Sequence, residues 1–351
     1  MSGTIEPLQT PVPFLLESLC QYSCHPGYQI SESGYFISCV SVIYCEFVSP
    51  LMPMTKGYAM ANPYFRTRAS TLPISQLIYM AHGEKLNLKV DGLGPDGRHL
   101  VIRASPEHQL GLVVKKADDK RREQDIEITA RGHGRVMLYG FNATSGATYR
   151  CMPGLSERCL PPLSIDIVSA ISMPENLSAE QLALLRVLLA ETIQPTAPGF
   201  DMAQAVQAMQ YMRQVLFNRL AFPHPHYLDV PRNNPTLLGL IGSGRAVEGF
   251  KGYPQMTQDI IDRLGGFITS CNQGAGKHFL LYRQLFQHAL AIATGQLNGP
   301  EHNPKLYGWR TLKGGSPGIN FQVAMNLQGQ TFYTLTPEFM ADPHGNKKEK
   351  K

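Results

Sequence analysis

The chain has 351 residues, of which 43% are apolar and 17% are charged. This composition excludes a disordered, collagen-like or coiled-coil protein and predicts a globular chain long enough for two domains. The formal net charge is +5. Four lysines and one glutamate in the last nine residues supply +3 of it, so we predict a basic flexible tail at 341–351 and no nucleic-acid partner.

Residues 1–165 are predicted to form a β-rich module. Ser75–Ala81 is interpreted as a short helix. From Lys85 onward, short apolar or alternating runs are separated by turn-forming residues, at intervals of about 8 to 12 residues typical of a β-sandwich or small barrel. The apolar run Ile165–Ile171 falls in a proline-rich stretch, which we interpret as the connection between domains.

Neither a secretory signal nor a membrane-spanning segment is predicted. Met1–Pro13 contains three prolines and no Lys or Arg, unlike the basic start of a signal peptide. The most apolar stretch, Phe36–Met52, is shorter than the roughly 20 residues of a membrane span. It also contains Glu46 and Pro50 and is rich in β-branched residues. We therefore expect a buried strand there, in a protein made in the cytoplasm.

The seven cysteines form no CxxC pair, so that a zinc ribbon is not expected. Cys151 and Cys159 flank a turn-rich segment and could close a short loop in an oxidising compartment. His224 and His226 could bind a metal, but a proline-bounded loop explains them equally well. We predict no metal site and no cofactor.

After Pro174 the apolar period changes from two to about 3.6 residues, which predicts a mainly helical domain at 175–340. Ser178 with Gln181, and Asp201 with Gln204, have the spacing of residues that begin helices. The predicted helices are Ala179–Glu191, Met202–Leu220, Thr257–Cys271 and Lys277–Thr294, and the predicted strands are Ile319–Asn326 and Thr331–Thr336. The overall expectation is an α+β protein.

Glu191 ends an apolar helix. The helix carbonyl groups and a low-dielectric wall both disfavour a negative charge there, so the pKa of Glu191 is expected to be raised. A carboxyl group that stays protonated near neutral pH is what glycosidic bond cleavage requires. The alternative is a solvated glutamate that only ends the helix.

Several segments of the helical half resemble the cell-wall hydrolase family typified by spore cortex-lytic enzymes. That family is related to lytic transglycosylases and has a lysozyme-like fold. The resemblance covers about half the chain and is dense only between Leu182 and Pro223. It is carried by Leu188–Glu191, Val215–Leu220, Phe222-Pro223, Ala289, Ala293, Gly295, Tyr307 and Gly329–Tyr333.

The resemblance implies that Glu191 is the general acid, and later the base, of a muramidase or lytic transglycosylase acting on peptidoglycan. It also implies that Asn218 or its neighbours hold the loop of the acid, and that Tyr307, in the closing aromatic segment, contacts the substrate. Asn218 has a second interpretation, as a cap of its helix. The chain departs from the family pattern at Thr192–Pro195, which leaves the second acid of the family unassigned.

Gly244–Pro254 alternates glycine with aromatic and charged residues, a pattern that suits an exposed loop lining a cleft. Phe250 and Tyr253 are candidates for stacking on sugar rings, and Glu248 is the candidate second carboxylate. A purely structural loop is the alternative. Without a second carboxylate, the transglycosylase route is favoured, in which a hydroxyl group of the sugar itself attacks.

Two other classes of function are weighed against glycan cleavage. One is a Cys/His peptidoglycan amidase or peptidase with Cys271 as nucleophile, which needs an activating base. His278 would face the same side as Cys271 only on one continuous helix, and Gly274 and Gly276 interrupt such a helix. The other is a non-catalytic cell-wall binding or cargo adaptor protein.

The resemblance, together with the lack of a secretory signal, favours an antibacterial toxin delivered by a type VI secretion system. The β-rich module would then serve delivery or wall binding. The expected partners are peptidoglycan glycan strands, an immunity protein and a secretion-spike protein. The expected place of action is the periplasm or cell wall of a target cell.

Overall fold

The structure is a computed structural model that describes residues 63–92, 100–115, 123–142, 160–274, 278–299 and 305–344. These residues belong to one compact unit of the chain, Tyr58–Lys351. Several predictions lie outside the described residues. They are the strand within Phe36–Met52, the loop between Cys151 and Cys159, and the lysines of the tail.

Among the described residues of the β-rich module, eight strands form two four-stranded sheets, with the orders β1-β3-β6-β5 and β2-β8-β7-β4. All neighbouring strands are antiparallel except β2 and β8, which are parallel. The strands are β1 Tyr64–Thr67, β2 Leu77–Ala81, β3 Lys85–Asp91, β4 Leu100–Ser105, β5 Leu110–Val114, β6 Gln124–Ala130, β7 Gly134–Asn142 and β8 Leu163–Val168. This arrangement matches an immunoglobulin-type sandwich with β2 as an additional edge strand.

The alternation of apolar residues explains why these segments form a sandwich. Along β6, every second residue is buried and the residues between are half-buried, as expected for a strand with one face toward the core. Leu88 and Ile128 from one sheet share a buried cluster with Met80, Leu138 and Ile165 from the other. The two sheets therefore enclose one core.

Two local predictions about this module are wrong. The predicted helix at Ser75–Ala81 is mostly strand β2, and the predicted connection contains strand β8. The two segments pair in parallel register, from Leu77 opposite Ser164 to Ala81 opposite Val168. Because the partner strand is distant in the chain, the local residue pattern cannot reveal this pairing.

The mainly helical domain follows, with helices α1 Ala179–Glu191, α2 Met202–Ala221, α3 Leu237–Gly242, α4 Gln258–Asn272, α5 Phe279–Ala293 and α6 Pro337–Ala341. Both predicted helix starts are confirmed. The Ser178 hydroxyl accepts a hydrogen bond from the Gln181 amide (3.2 Å), and the Gln181 side chain accepts one from the Ser178 amide (3.0 Å). The Asp201 carboxylate accepts from the Gln204 amide (2.8 Å).

Helix α1 lies at the centre of this domain and packs against α2, α3, α4 and α5. Seven of its 13 residues are buried: Ala183, Leu184, Leu185, Val187, Leu188, Leu189 and Ala190. A helix that is apolar on several faces is expected in a domain core. The core therefore extends to the residue immediately before Glu191.

A three-stranded antiparallel sheet packs on the helices, with strands β9 Gly308–Thr311, β10 Phe321–Leu327 and β11 Gln330–Leu335 in the order β10-β11-β9. Gln328 and Gly329 connect β10 to β11 with φ of 44° and 75°, as a tight two-residue hairpin requires. Both predicted strands are confirmed.

The α+β layout with a β-rich N-terminal module is therefore confirmed. Within the described ranges, every helix is too short or too polar to cross a lipid bilayer.

Candidate functional site

The backbone at the end of α1 is held by two other elements. Gln330 on β11 donates from Nε2 to the carbonyl oxygen of Glu191 (2.9 Å), and Arg263 on α4 donates to that of Thr192 (3.4 Å). The last carbonyl groups of a helix have no partner within the helix. These two contacts supply partners and fix the point at which the Glu191 side chain leaves α1.

The carboxyl group of Glu191 is half-buried and accepts a hydrogen bond at Oε2 from the indole Nε1 of Trp309 on β9 (3.3 Å). Burial raises the pKa of Glu191 above its usual value. The Glu248 charge also raises this pKa, whereas the Trp309 hydrogen bond and the charges of Arg263 and Arg310 lower it. The net direction agrees with the sequence-based expectation.

A cleft of about 480 Å³ opens beside Glu191, within the range of volumes typical of small-molecule sites. Its walls come from the end of α1, the loop between α3 and α4, strand β9 and the segment that follows β9. The lining residues are Glu191, Arg219, Asp229, 244–248, 309–311, Gly314, Pro317 and Phe321. Both carboxylate residues singled out in the sequence, Glu191 and Glu248, therefore line the same cleft.

Glycines shape the loop that carries the exposed Glu248. Gly244 and Gly249 have φ of +67° and +80°, a region that glycine adopts without steric cost. A Cβ atom at Gly244 would lie 2.5 Å from Lys251 Cβ, and one at Gly249 would lie 2.5 Å from Ile260 Cγ1. The glycine pattern in the sequence therefore reflects a tightly folded loop at the cleft edge.

Arg219 was not among the predicted site residues, although it lines the cleft. It is 5% exposed and donates to the carbonyl oxygens of Tyr307 (2.6 Å) and Leu228 (3.4 Å) and to the Asp229 carboxylate (3.4 Å). Burial lowers its pKa to about 10, against the opposing effect of Asp229. The sequence did contain a signal for this residue. Arg219 lies three residues after Leu216, on the face of α2 that the apolar pattern predicts to be buried.

Phe250 and Tyr307 do not line the cleft. Phe250 is fully buried in the helical core, and Tyr307 is 6% exposed and packs edge-on against Phe222 with ring centroids 5.7 Å apart. Their burial corrects the expectation that these rings contact substrate, because a ring enclosed by protein cannot stack on a sugar.

Tyr253 and Asn218 also lie outside the cleft lining. The Tyr253 hydroxyl accepts a hydrogen bond from Arg186 (3.0 Å). The Asn218 side chain donates to the Leu306 carbonyl oxygen (2.9 Å), so that it holds the segment before β9. The Asn218 hydrogen bond therefore does not hold the loop of the acid, whereas its neighbour Arg219 lines the cleft.

Cys271 lies in the core with no exposed surface, and burial raises its pKa to about 12. A thiol in this setting stays protonated near neutral pH, whereas a nucleophilic cysteine acts as a thiolate. His278 occupies the N-cap position of α5, where its side chain makes no capping hydrogen bond. These positions do not favour the amidase alternative.

His224 and His226 lie at the start of the short helical turn that follows α2, beside the ring of His344. In the part of the chain that the structure describes, no group of three or more His, Cys, Asp or Glu side chains is arranged to hold a metal ion.

Fold and cleft together define a two-module α+β protein, in which an immunoglobulin-type sandwich precedes a helical domain with two glutamates in one cleft. A half-buried carboxyl group beside an exposed carboxylate is an arrangement that can transfer protons. No protein-family model and no curated protein matches the sequence.

Solved structures resemble the chain only weakly. The S-layer protein rSbsC(31-844) has 12% identity and a TM-score of 0.21, covering 32% of this chain and 14% of that one. The Lin-41 filamin domain has 9% identity and a TM-score of 0.20, covering 31% of this chain and 94% of that one. Values this low support no argument about function.

Proposed function

We propose that the helical domain cleaves the glycan strands of peptidoglycan as a muramidase or lytic transglycosylase, with Glu191 as general acid and then base. The observation that carries the proposal is the half-buried Glu191 carboxyl group, with its raised pKa, at the wall of a cleft of about 480 Å³. Cleavage requires a proton for the departing sugar oxygen. A raised pKa increases the fraction of the carboxyl group that carries this proton.

The surroundings of Glu191 suit both halves of a proton cycle. Burial favours the neutral acid before the bond breaks. Once the proton has passed to the leaving oxygen, the Trp309 N–H and the charges of Arg263 and Arg310 stabilise the resulting carboxylate. The same carboxylate then accepts a proton from the attacking nucleophile. Because these groups are already in place, they need no reorganisation during the reaction.

Glu248 decides between two routes in this proposal. In hydrolysis, its carboxylate activates a water molecule or stabilises the positively charged sugar transition state. In transglycosylation, a hydroxyl group of the sugar attacks and the product has an anhydro end. The role of Glu248 can therefore be read from the products.

The test is digestion of purified peptidoglycan by the wild type, Glu191→Gln and Glu248→Gln, with mass spectrometry of the released fragments. We expect Glu191→Gln to lower release by at least about 100-fold, the usual contribution of a general acid. Reducing ends with loss of activity in Glu248→Gln indicate hydrolysis, and anhydro ends with activity retained indicate transglycosylation. Equal release by the wild type and Glu191→Gln would overturn the proposal.

A non-catalytic wall-binding protein is the second candidate, since an immunoglobulin-type sandwich precedes the helical domain and such sandwiches serve many unrelated functions. It predicts co-sedimentation with peptidoglycan and no release of fragments by any variant.

Delivery to a target cell by a type VI secretion system, with a spike protein and an immunity protein as partners, belongs to the same proposal. It predicts lysis when the wild type, but not Glu191→Gln, is directed to the periplasm of a test bacterium.

A further inference from the structure

Three arginines line the cleft, but only Arg219 has its hydrogen-bonding groups occupied by protein. Arg219 is buried and bonded to two carbonyl oxygens and to Asp229. Arg245, on the loop between α3 and α4, and Arg310, on β9, are both exposed. The cleft therefore presents two accessible guanidinium groups from separate elements of the fold.

Among the described residues, no side chain forms a hydrogen bond or an ion pair with the guanidinium group of Arg245 or Arg310. The other charges of the lining are accounted for separately. Asp229 pairs with Arg219, and Glu191 accepts its side-chain hydrogen bond from Trp309. Neither Glu191 nor the exposed Glu248 forms an ion pair with Arg245 or Arg310, so both guanidinium groups are accessible to an anionic ligand.

We propose that Arg245 and Arg310 form a subsite for a carboxylate carried by the substrate. On peptidoglycan, this group is a carboxylate of the peptide attached to the sugar. The inference rests on the proposed function, since it names the part of the same polymer that the cleft recognises. While the peptide is attached, the lactyl carboxyl group of the muramic sugar is bound in an amide, so the sugars offer the cleft only hydroxyl and amide groups, which do not require two cations.

The chemistry of arginine supports this assignment. The guanidinium group is planar, always charged, and matches a carboxylate with two parallel hydrogen bonds. Two such groups on an open cleft wall also attract an anionic ligand during its approach.

The subsite is also coupled to the acid. The charge of Arg310 lowers the pKa of Glu191, which works against the protonated form that cleavage needs. A carboxylate bound at Arg310 would offset that charge and favour the proton on Glu191. Peptide-bearing glycan is therefore expected to bind more tightly. Its bound carboxylate is also expected to increase the fraction of Glu191 that is protonated.

The test compares cleavage of intact peptidoglycan with cleavage of the same polymer after its peptide carboxylates have been converted to amides with a carbodiimide and excess ammonia, which leaves the glycan and the peptide backbone intact. We expect the wild type to prefer the polymer with free carboxylates by about tenfold, because a charged hydrogen bond contributes on the order of 1.4 kcal/mol, which corresponds to a tenfold change. The double variant Arg245→Gln/Arg310→Gln should lose this preference. Arg245→Lys/Arg310→Lys should retain part of it, since lysine keeps the charge without the planar fork.

Arg232→Gln is the matched control, because Arg232 is exposed in the same domain and does not line the cleft. It should keep the wild-type preference. If the double glutamine variant keeps the preference too, or if the wild type cleaves both polymers equally, the subsite is overturned while the proposed function stands.

A binding measurement distinguishes failure of the proposed subsite from failure of the proposed function. A soluble disaccharide-peptide is titrated calorimetrically into the wild type and into the double glutamine variant. If neither polymer is cleaved but the variant binds about tenfold more weakly, the subsite stands and the proposed function fails. Equal affinities, or no binding to either protein, would overturn the subsite.

Discussion

Each of the two modules contains a half-buried glutamate whose pKa is raised by burial, Glu84 in the sandwich and Glu191 in the helical domain. Glu84 accepts hydrogen bonds from the backbone amides of Ala81 (3.2 Å) and Gly274 (3.1 Å). Its carboxylate therefore joins the end of β2 to the end of α4. Glu191 accepts one side-chain hydrogen bond, from Trp309, and faces a cleft.

This difference shows that a raised pKa does not by itself mark a catalytic acid. Perturbed pKa values occur at structural contacts as well as at active sites. The Glu84 carboxylate is occupied by backbone donors at a junction between the modules, whereas Glu191 has access to a ligand-sized space. The unoccupied oxygen and the adjacent cavity, together with burial, distinguish the candidate acid.

The largest expected effect comes from replacing each carboxylate in turn by an amide, which tests the distinction between Glu84 and Glu191. Glu191→Gln should lower glycan cleavage by at least about 100-fold, while Glu84→Gln should leave cleavage close to the wild-type rate, because Glu84 does not line the cleft. Fragment release and circular dichroism of both variants check this. A large loss of activity in a well-folded Glu84→Gln protein would contradict the distinction.

The junction itself can be tested through its glycine. A Cβ atom at Gly274 would lie 1.3 Å from the carbonyl oxygen of Tyr79, so Gly274→Ala must move backbone and should lower the free energy of unfolding by roughly 3 kcal/mol. Gly265→Ala in α4 meets no atom within 4 Å and should raise it by up to about 1 kcal/mol, through helix propensity. Urea unfolding measures both. If both substitutions change the free energy of unfolding by a similar amount, the close approach of Gly274 to the Tyr79 carbonyl group is ruled out.

A smaller effect is expected from Trp309, whose hydrogen bond influences the pKa of Glu191. Trp309→Phe keeps a ring at this position but removes the N–H donor to Glu191 Oε2. That hydrogen bond lowers the pKa of Glu191, so its loss should raise this pKa. Cleavage that needs the protonated acid is lost as the pH rises through the pKa, so the alkaline limb of the pH–rate profile should move to higher pH.

The shift can be checked without turnover by carbon-detected NMR titration of the Glu191 carboxyl group. An unchanged titration, or a shift to lower pH, would contradict the role assigned to Trp309.

The helix starts were predictable from the sequence because capping is local. Ser178 and Asp201 each bond an amide three residues away, so the four residues concerned contain the whole signal. Predicted and observed bounds of α1 agree at both ends, and those of α4 differ by one residue. The end of α1 at Glu191 was predictable from Pro195, because a helix usually ends at or before the residue that precedes a proline.

The candidate site was predictable only in part. Glu191 and Glu248 were singled out and do line one cleft. The prediction that aromatic residues of this loop contact the substrate was wrong for Phe250. This residue follows a glycine in an irregular loop, a position where an exposed ring is expected, yet its side chain is fully buried. Whether a ring in such a loop meets solvent depends on which other segments cover it, and those segments are distant in the chain.

The sequence by itself determined the elements whose causes lie within a few residues: the alternating strands, the capped helices, and an acid at the end of an apolar helix. Only the tertiary structure decided which groups surround that acid. Trp309 and Arg310 on β9 and Glu248 on its loop reach Glu191 through packing of separate elements. Burial and electrostatic interaction act through space, so they depend on distances that residue spacing does not encode.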